Sequence, residues 1–223
     1  HQELMTSWVL TVSVGAVIAS AIQIASGRTD RGFFLITLCF CVCTAAAWID
    51  VATRRIPNAL TYPALGLGLA INLLLAPALA ALGVPVAVTW LGATDVVDAL
   101  LGFGLCAVIG VVSFAARGLG GGDVKLLAAV GAMLGLEAVV PVLFNALAFA
   151  AVIGIANWAV KGTLMPRVQV VAANLLTTFV TKEGLREVYP FGRSEAPFGL
   201  ALLLGLTLAQ FVALHEIVLG LVF

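Results

Sequence analysis

Long hydrophobic runs follow one another along almost the whole chain, separated by short polar turns. A membrane-spanning helix needs about 20 mostly apolar residues, and seven runs approach that length, the fifth being the shortest. This pattern predicts an all-α fold, a polytopic transmembrane helical bundle of about six to seven spans. The predicted spans cover about 4–25, 33–51, 59–82, 96–116, 123–137, 139–160 and 197–223.

Composition agrees with a membrane protein. Hydrophobic residues make up 62% of the chain and charged residues only 10%, whereas about a quarter of a soluble domain is charged. The formal net charge is zero, so no nucleic-acid partner is expected. The four cysteines form no C-x-x-C pair, and we expect neither a metal nor a cofactor. We therefore predict one membrane-embedded domain over residues 1–223, surrounded by lipid, with its oligomeric state open.

The only sizeable polar segment covers about 161–196. Within it Val168, Val171, Leu175 and Phe179 recur at helical spacing. This spacing fits an amphipathic helix lying on the cytoplasmic membrane interface. It fits a plain cytoplasmic linker with a helical middle equally well.

Lysines and arginines predict the orientation of the spans, because cytoplasmic loops carry an excess of both. With the amino terminus inside, only Arg28 and Arg31 face outwards and the other nine basic residues face the cytoplasm. Asp50 and Asp123 then lie on the same, cytoplasmic side of the membrane.

Two acids stand where predicted spans meet helix breaks. Asp50 closes the second run and is followed by Arg54 and Pro57, and proline either breaks a helix or opens a new one. Asp123 opens the fifth run, near the positive end of a helix. A carboxylate at membrane depth is costly and indicates a functional site.

Three consecutive glycines, Gly120, Gly121 and Gly122, precede Asp123. Glycine adopts positive φ and lets another chain approach closely, so we expect a sharp turn here and room for a substrate backbone. Lys125 follows, and it either hydrogen-bonds a catalytic acid or nearby carbonyls, or extends to the membrane surface.

A pair of carboxylates suits peptide hydrolysis. The ionised acid takes a proton from water while the neutral acid protonates the carbonyl oxygen. The shared proton belongs to the pair, so either Asp50 or Asp123 can begin the reaction protonated.

Both motifs together resemble the type IV prepilin peptidases, a family of intramembrane aspartyl proteases. The family's pattern of an Asp, six residues and a Pro is similar to Asp50–Pro57, followed by Asn58, and its Gly-x-Gly-Asp-x-Lys-Leu is similar to 120–126. A Pro-aromatic-Gly sequence at 197–199 resembles the start of the last span in the short members from tight-adherence pilus systems. The resemblance implies the catalytic pair Asp50 and Asp123, supported by Gly120, Gly121, Gly122 and Lys125.

The resemblance further implies that prepilins or pilin-like proteins are the substrates, cut at the cytoplasmic face of a prokaryotic cell membrane. Longer members carry a cysteine-rich cytosolic segment with methyltransferase activity, and since no such segment occurs here, we expect no methylation. A proton- or cation-coupled transporter using the same two acids is the alternative, and it would favour acids near the midplane and paired broken helices. A catalytically silent scaffold of pilus assembly is a third reading.

Overall fold

The computed structural model describes residues 33–84, 90–115, 118–162 and 197–222, together with 88 and six helical positions between 10 and 21. For 213–222 it describes the backbone alone. The described residues form helices without strands, which confirms the all-α prediction. Apart from the helical positions between 10 and 21 and at 88, 90 and 91, the described helices are α1 (Phe33–Thr53), α2 (Asn58–Ala81), α3 (Val96–Ala115), α4 (Gly121–Val160) and α5 (Phe198–Val222).

Four of these helices, α1 to α4, are long and apolar enough to cross a membrane, and α5 contains a shorter apolar stretch, Phe198–Val212. The second, third, fourth and last predicted spans therefore correspond to observed helices. Most of the first predicted span, and the polar segment beyond Gly162, lie outside the described residues. The hydroxyls of Ser13 and Thr44 share a hydrogen bond, so the chain at Ser13 lies against α1. The count of six to seven spans stays a prediction.

The connection between α1 and α2 is short and tightly bonded. Arg54 follows α1 with a positive φ of 55°, and its N–H donates to the Asp50 carbonyl at 2.7 Å. Such a left-handed residue is a common way to end a helix. Pro57 then precedes α2 in an extended conformation, which proline's fixed φ favours. Asp50 is thereby held in the last turn of α1, beside the start of α2.

The middle of α2 contains a five-residue π-helical turn, Ile71–Leu75. Asn72 lies in this turn and is completely buried. Its Nδ2 donates to the Ala132 carbonyl of α4 at 2.8 Å, and its Oδ1 accepts the Thr94 N–H at 3.0 Å. The amide therefore joins α2, α4 and the connector before α3, and it satisfies polar groups that would otherwise be costly inside the bundle.

A break divides α4 at Gly135, where φ is 74° and ψ is 176°. This backbone region is essentially open to glycine alone, and a Cβ at this position would collide with the Asp98 carboxylate. Asp98 Oδ1 accepts the N–H groups of Leu136 and Glu137 at 3.0 and 3.3 Å, and so caps the helix that restarts there. The predicted boundary between the fifth and sixth spans, at Glu137, is two residues late because the break depends on Asp98, which is distant in sequence.

The chain reverses direction at this break. Gly122 and Gly199 both lie at the end of the bundle that holds the end of α1. Gly205, about 9 Å further along α5, lies against the backbone of Ala146. In a straight α4, Ala146 would be roughly 36 Å from Gly122. The second segment, 136–160, therefore runs back towards the same end.

The first segment of α4, 121–134, runs through the centre of the bundle, and it is buried from Leu126 onwards. Small residues allow its neighbours to approach closely. A Cβ on Gly102 of α3 would lie 2.6 Å from the Gly131 carbonyl oxygen, and a Cβ on Gly68 of α2 would lie 2.8 Å from Met133 Cγ. Such contacts are typical of helix interfaces in membranes, and they pack the first segment of α4 closely against α2 and α3.

Candidate active site

Asp50 lies in the last turn of α1 and is 7% exposed. Its Oδ2 accepts the N–H of Gly199 at 3.1 Å. Gly199 is the second residue of α5, where N–H groups have no partner within the helix and carry partial positive charge. A Cβ on Gly199 would lie 3.2 Å from backbone atoms of Ala46 and Ala47, so the absence of a side chain permits this approach.

Gly199 is the last residue of the Pro-aromatic-Gly motif, and it was not among the predicted site residues. This motif spans the start of α5, but it carried no prediction of a contact with an acid. The feature of the sequence that could have indicated the contact is a glycine at the very start of a predicted span, where an unpaired helix N–H is available to a carboxylate. The contact joins residues 149 positions apart.

Asp123 is the third residue of α4 and is half-buried. Its Oδ2 accepts the N–H of Gly120 at 2.8 Å, which is one half of a capping box. Gly120 itself is extended, with φ −82° and ψ 158°. The prediction that Asp123 lies in the first helical turn is confirmed, and the cap fixes one oxygen of its carboxylate.

The two acids lie at the same end of the bundle and within electrostatic reach of each other. The Arg54 guanidinium also acts electrostatically on Asp50. Each acid has one oxygen held by a backbone N–H, from α5 for Asp50 and from the cap of α4 for Asp123. Two carboxylates in a poorly solvated site do not both ionise cheaply, so this arrangement suits a shared proton.

Gly122 brings the two motifs into contact. A Cβ there would lie 2.8 Å from the Ile56 carbonyl oxygen and 3.0 Å from Ile56 Cβ. Ile56 belongs to the connection between α1 and α2, so Gly122 packs the start of α4 directly on the segment that follows Asp50. Close approach is thus the observed use of this glycine, with the protein's own backbone as the neighbour.

The expectation of positive φ in the glycine cluster is wrong. Helix α4 already begins at Gly121, so the cluster starts the helix instead of making a sharp turn before it. Gly121 is exposed, and a Cβ on it would meet nothing closer than the Phe114 ring at 3.9 Å. Among the described residues, the glycines with positive φ are Gly83, Gly92, Gly135 and Gly162.

Lys125 joins the two motifs a second time. Its Nζ donates to Asn58 Oδ1 at 2.8 Å and lies 4.6 Å from the centroid of the Tyr62 ring. Both partners belong to the first turns of α2. The observed acceptor is therefore the asparagine amide that follows Pro57, and neither a catalytic acid nor a loop carbonyl.

These features define a class: an integral membrane protein of packed helices with paired carboxylates at one end of the bundle. A family model described as the type IV leader peptidase family matches residues 37–155. The match covers more than half of the chain and contains both Asp50 and Asp123. The chain belongs to the type IV leader peptidase family, so it is a peptidase of the kind that processes prepilins. Comparisons with curated proteins and with solved structures gave no significant match.

Proposed function

We propose that the protein is an intramembrane aspartyl endopeptidase. It cleaves the leader peptide of type IV prepilins or pilin-like proteins at the cytoplasmic face of the prokaryotic inner membrane. The observation that carries the proposal is that Asp50 and Asp123 lie at one end of the bundle, within electrostatic reach of each other, with each oriented by a backbone N–H. Family membership supplies the peptidase activity and the class of substrate.

Hydrolysis proceeds by general acid–base catalysis between the two acids. The ionised carboxylate removes a proton from water as the oxygen attacks the scissile carbonyl carbon, and the neutral acid protonates the carbonyl oxygen. When the tetrahedral intermediate collapses, the C–N bond breaks and a carboxyl group returns a proton to the leaving amine. In this mechanism Oδ2 of each acid stays with its N–H donor, and Oδ1 faces water and substrate.

The location of the acids also favours hydrolysis over transport. Asp50 lies in the last turn of α1 and Asp123 in the first turn of α4, so both are near the end of the bundle where water is available. A transporter would place its coupling acids near the bilayer midplane, between two similar halves. The proposal covers the peptidase activity and does not include methylation.

A cleavage assay in liposomes tests the mechanism. The protein is incubated with a pilin-type precursor, and the products are weighed by mass spectrometry for the wild type, Asp50→Asn and Asp123→Asn. Each substitution keeps an acceptor for its N–H but removes the proton chemistry, so we expect no product from either folded variant. Asp95→Asn, an exposed acid at the opposite end of the bundle, is the matched control and keeps cleavage.

Substantial cleavage by Asp50→Asn or Asp123→Asn would disprove the two-acid mechanism. If folded wild-type protein cleaves none of several precursors, the same acids are then tested as transport groups in a proton-flux assay.

A further inference from the structure

We propose that Lys125 is a positioning residue, which fixes the rotation of α4 and thereby the direction of the Asp123 carboxylate. The inference rests on the proposed function, because it concerns the geometry of the same two acids. It assigns Lys125 to a contact between the two motif segments and not to a contact with substrate.

The ammonium group of Lys125 is held by two groups of α2. It donates to Asn58 Oδ1 at 2.8 Å and lies over the face of the Tyr62 ring, 4.6 Å from its centroid. A hydrogen bond from a charged donor is stronger than a neutral one, and the electron-rich face of an aromatic ring attracts a cation. Because both partners stand at the start of α2, they define where the first turn of α4 lies relative to α2.

A second contact lies on the same face of α4. Gly122 precedes Lys125 by three residues, and residues at this spacing are neighbours on a helix surface. Gly122 lies against Ile56, two residues before Asn58. The close packing of 126–135 fixes the body of α4, and these two contacts, one turn apart, fix the position and rotation of its first turn.

The rotation of α4 decides where the Asp123 carboxylate points. Asp123 lies between Gly122 and Lys125, and its position is about 100° around the helix axis from the position of Gly122. A carboxylate at about 5–6 Å from the helix axis moves by about 1 Å when the helix rotates by about 10°. A displacement of about 1 Å in a catalytic group can slow a reaction about 100-fold.

The cluster is accessible enough for its removal to leave the fold intact. Asn58 is exposed and Tyr62 is 55% exposed, so substitutions there leave no buried polar group without a partner. Loss of the Lys125–Asn58 hydrogen bond should therefore change the catalytic geometry much more than it changes folding. A variant that loses kcat but stays folded would therefore distinguish a positioning role from a purely structural one.

A double-mutant cycle tests the proposal. We would measure kcat and KM on a pilin-type precursor in liposomes for the wild type, Lys125→Met, Asn58→Leu and the double variant. Both single substitutions break the same hydrogen bond, so we expect each to lower kcat by about 10- to 100-fold with little change in KM. The double variant should be no slower than the slower single variant, as expected for residues that act together.

Two further variants serve as controls for the double-mutant cycle. Lys125→Arg keeps a cation that can reach the amide oxygen and the Tyr62 ring, and it should recover most of kcat. Lys161→Met makes the same charge change at the residue that follows α4 and should keep the wild-type kcat. If Lys125→Met is not obtained folded, Asn58→Asp and Asn58→Leu carry the test: the first keeps an acceptor and should keep kcat, and the second should lose it.

Several results would overturn the proposal. Losses in kcat that multiply in the double variant, or a raised KM in Lys125→Met alone, would assign Lys125 to the substrate. Unchanged kcat in both single variants would show that the hydrogen bond has no catalytic effect. Asp50→Asn and Asp123→Asn are measured in the same series, and cleavage by either would contradict the proposed function itself.

Discussion

Substitution of Gly122 by alanine tests how closely the two motif segments must approach. The new Cβ would lie 2.8 Å from the Ile56 carbonyl oxygen, and a backbone oxygen cannot rotate away. Restoring an ordinary contact of 3.4 Å requires α4 and the Ile56 segment to separate by about 0.6 Å. Such overpacking costs about 1–3 kcal/mol, and by moving Asp123 away from Asp50 it should slow cleavage roughly tenfold.

Two measurements on the same preparation check this prediction. The free energy of unfolding is taken from a detergent titration, and kcat from cleavage of a pilin-type precursor. Gly121→Ala is the matched control for stability, because its Cβ would meet only the Phe114 ring at 3.9 Å. We expect Gly122→Ala to lose stability and rate together, while Gly121→Ala keeps its stability.

Wild-type stability and kcat in Gly122→Ala would refute the packing argument. A loss of kcat in Gly121→Ala without a loss of stability would instead support the original expectation that these glycines leave room for substrate.

The remaining predictions concern Gly199 and the break in α4. Gly199→Ala places a Cβ 3.2 Å from α1 backbone atoms, so we expect a lower kcat with at most about 1 kcal/mol of lost stability. A kcat equal to that of the wild type would show that Asp50 tolerates the added methyl group. Gly135→Ala forces a non-glycine residue to φ 74° against Asp98 and should cost at least about 1–3 kcal/mol of unfolding free energy. Asp98→Ala removes the cap at Leu136 and should cost about 0.5–2 kcal/mol; unchanged unfolding curves in these two variants would contradict the account of the break.

Local sequence patterns were sufficient for the helices that the structure describes and for placing both acids at helix ends. Hydrophobic runs predicted the spans because a helix in lipid must be apolar over its whole length. Asp50 and Asp123 were expected on one side of the membrane from the distribution of basic residues, and the structure places them at one end of the bundle. Whether that end faces the cytoplasm stays a prediction.

Local sequence patterns could not predict the contacts that orient the acids. The bond from Gly199 to Asp50 joins residues 149 positions apart, and that from Lys125 to Asn58 joins residues 67 positions apart. Glycine's conformational freedom suggested a turn at the cluster before Asp123. The only observed break of this kind in α4 is at Gly135, because Asp98 supplies the partner for the N–H groups released there.

Both acids are oriented by main-chain donors, and this has a consequence for mutagenesis. The N–H groups of Gly120 and Gly199 that bond Asp123 and Asp50 survive every side-chain replacement except proline, which lacks the donor. An alanine scan therefore detects these positions only through the bulk of the added methyl group. Replacing the amide by an ester at either position would remove the donor alone, so the hydrogen bond and the packing can be measured separately.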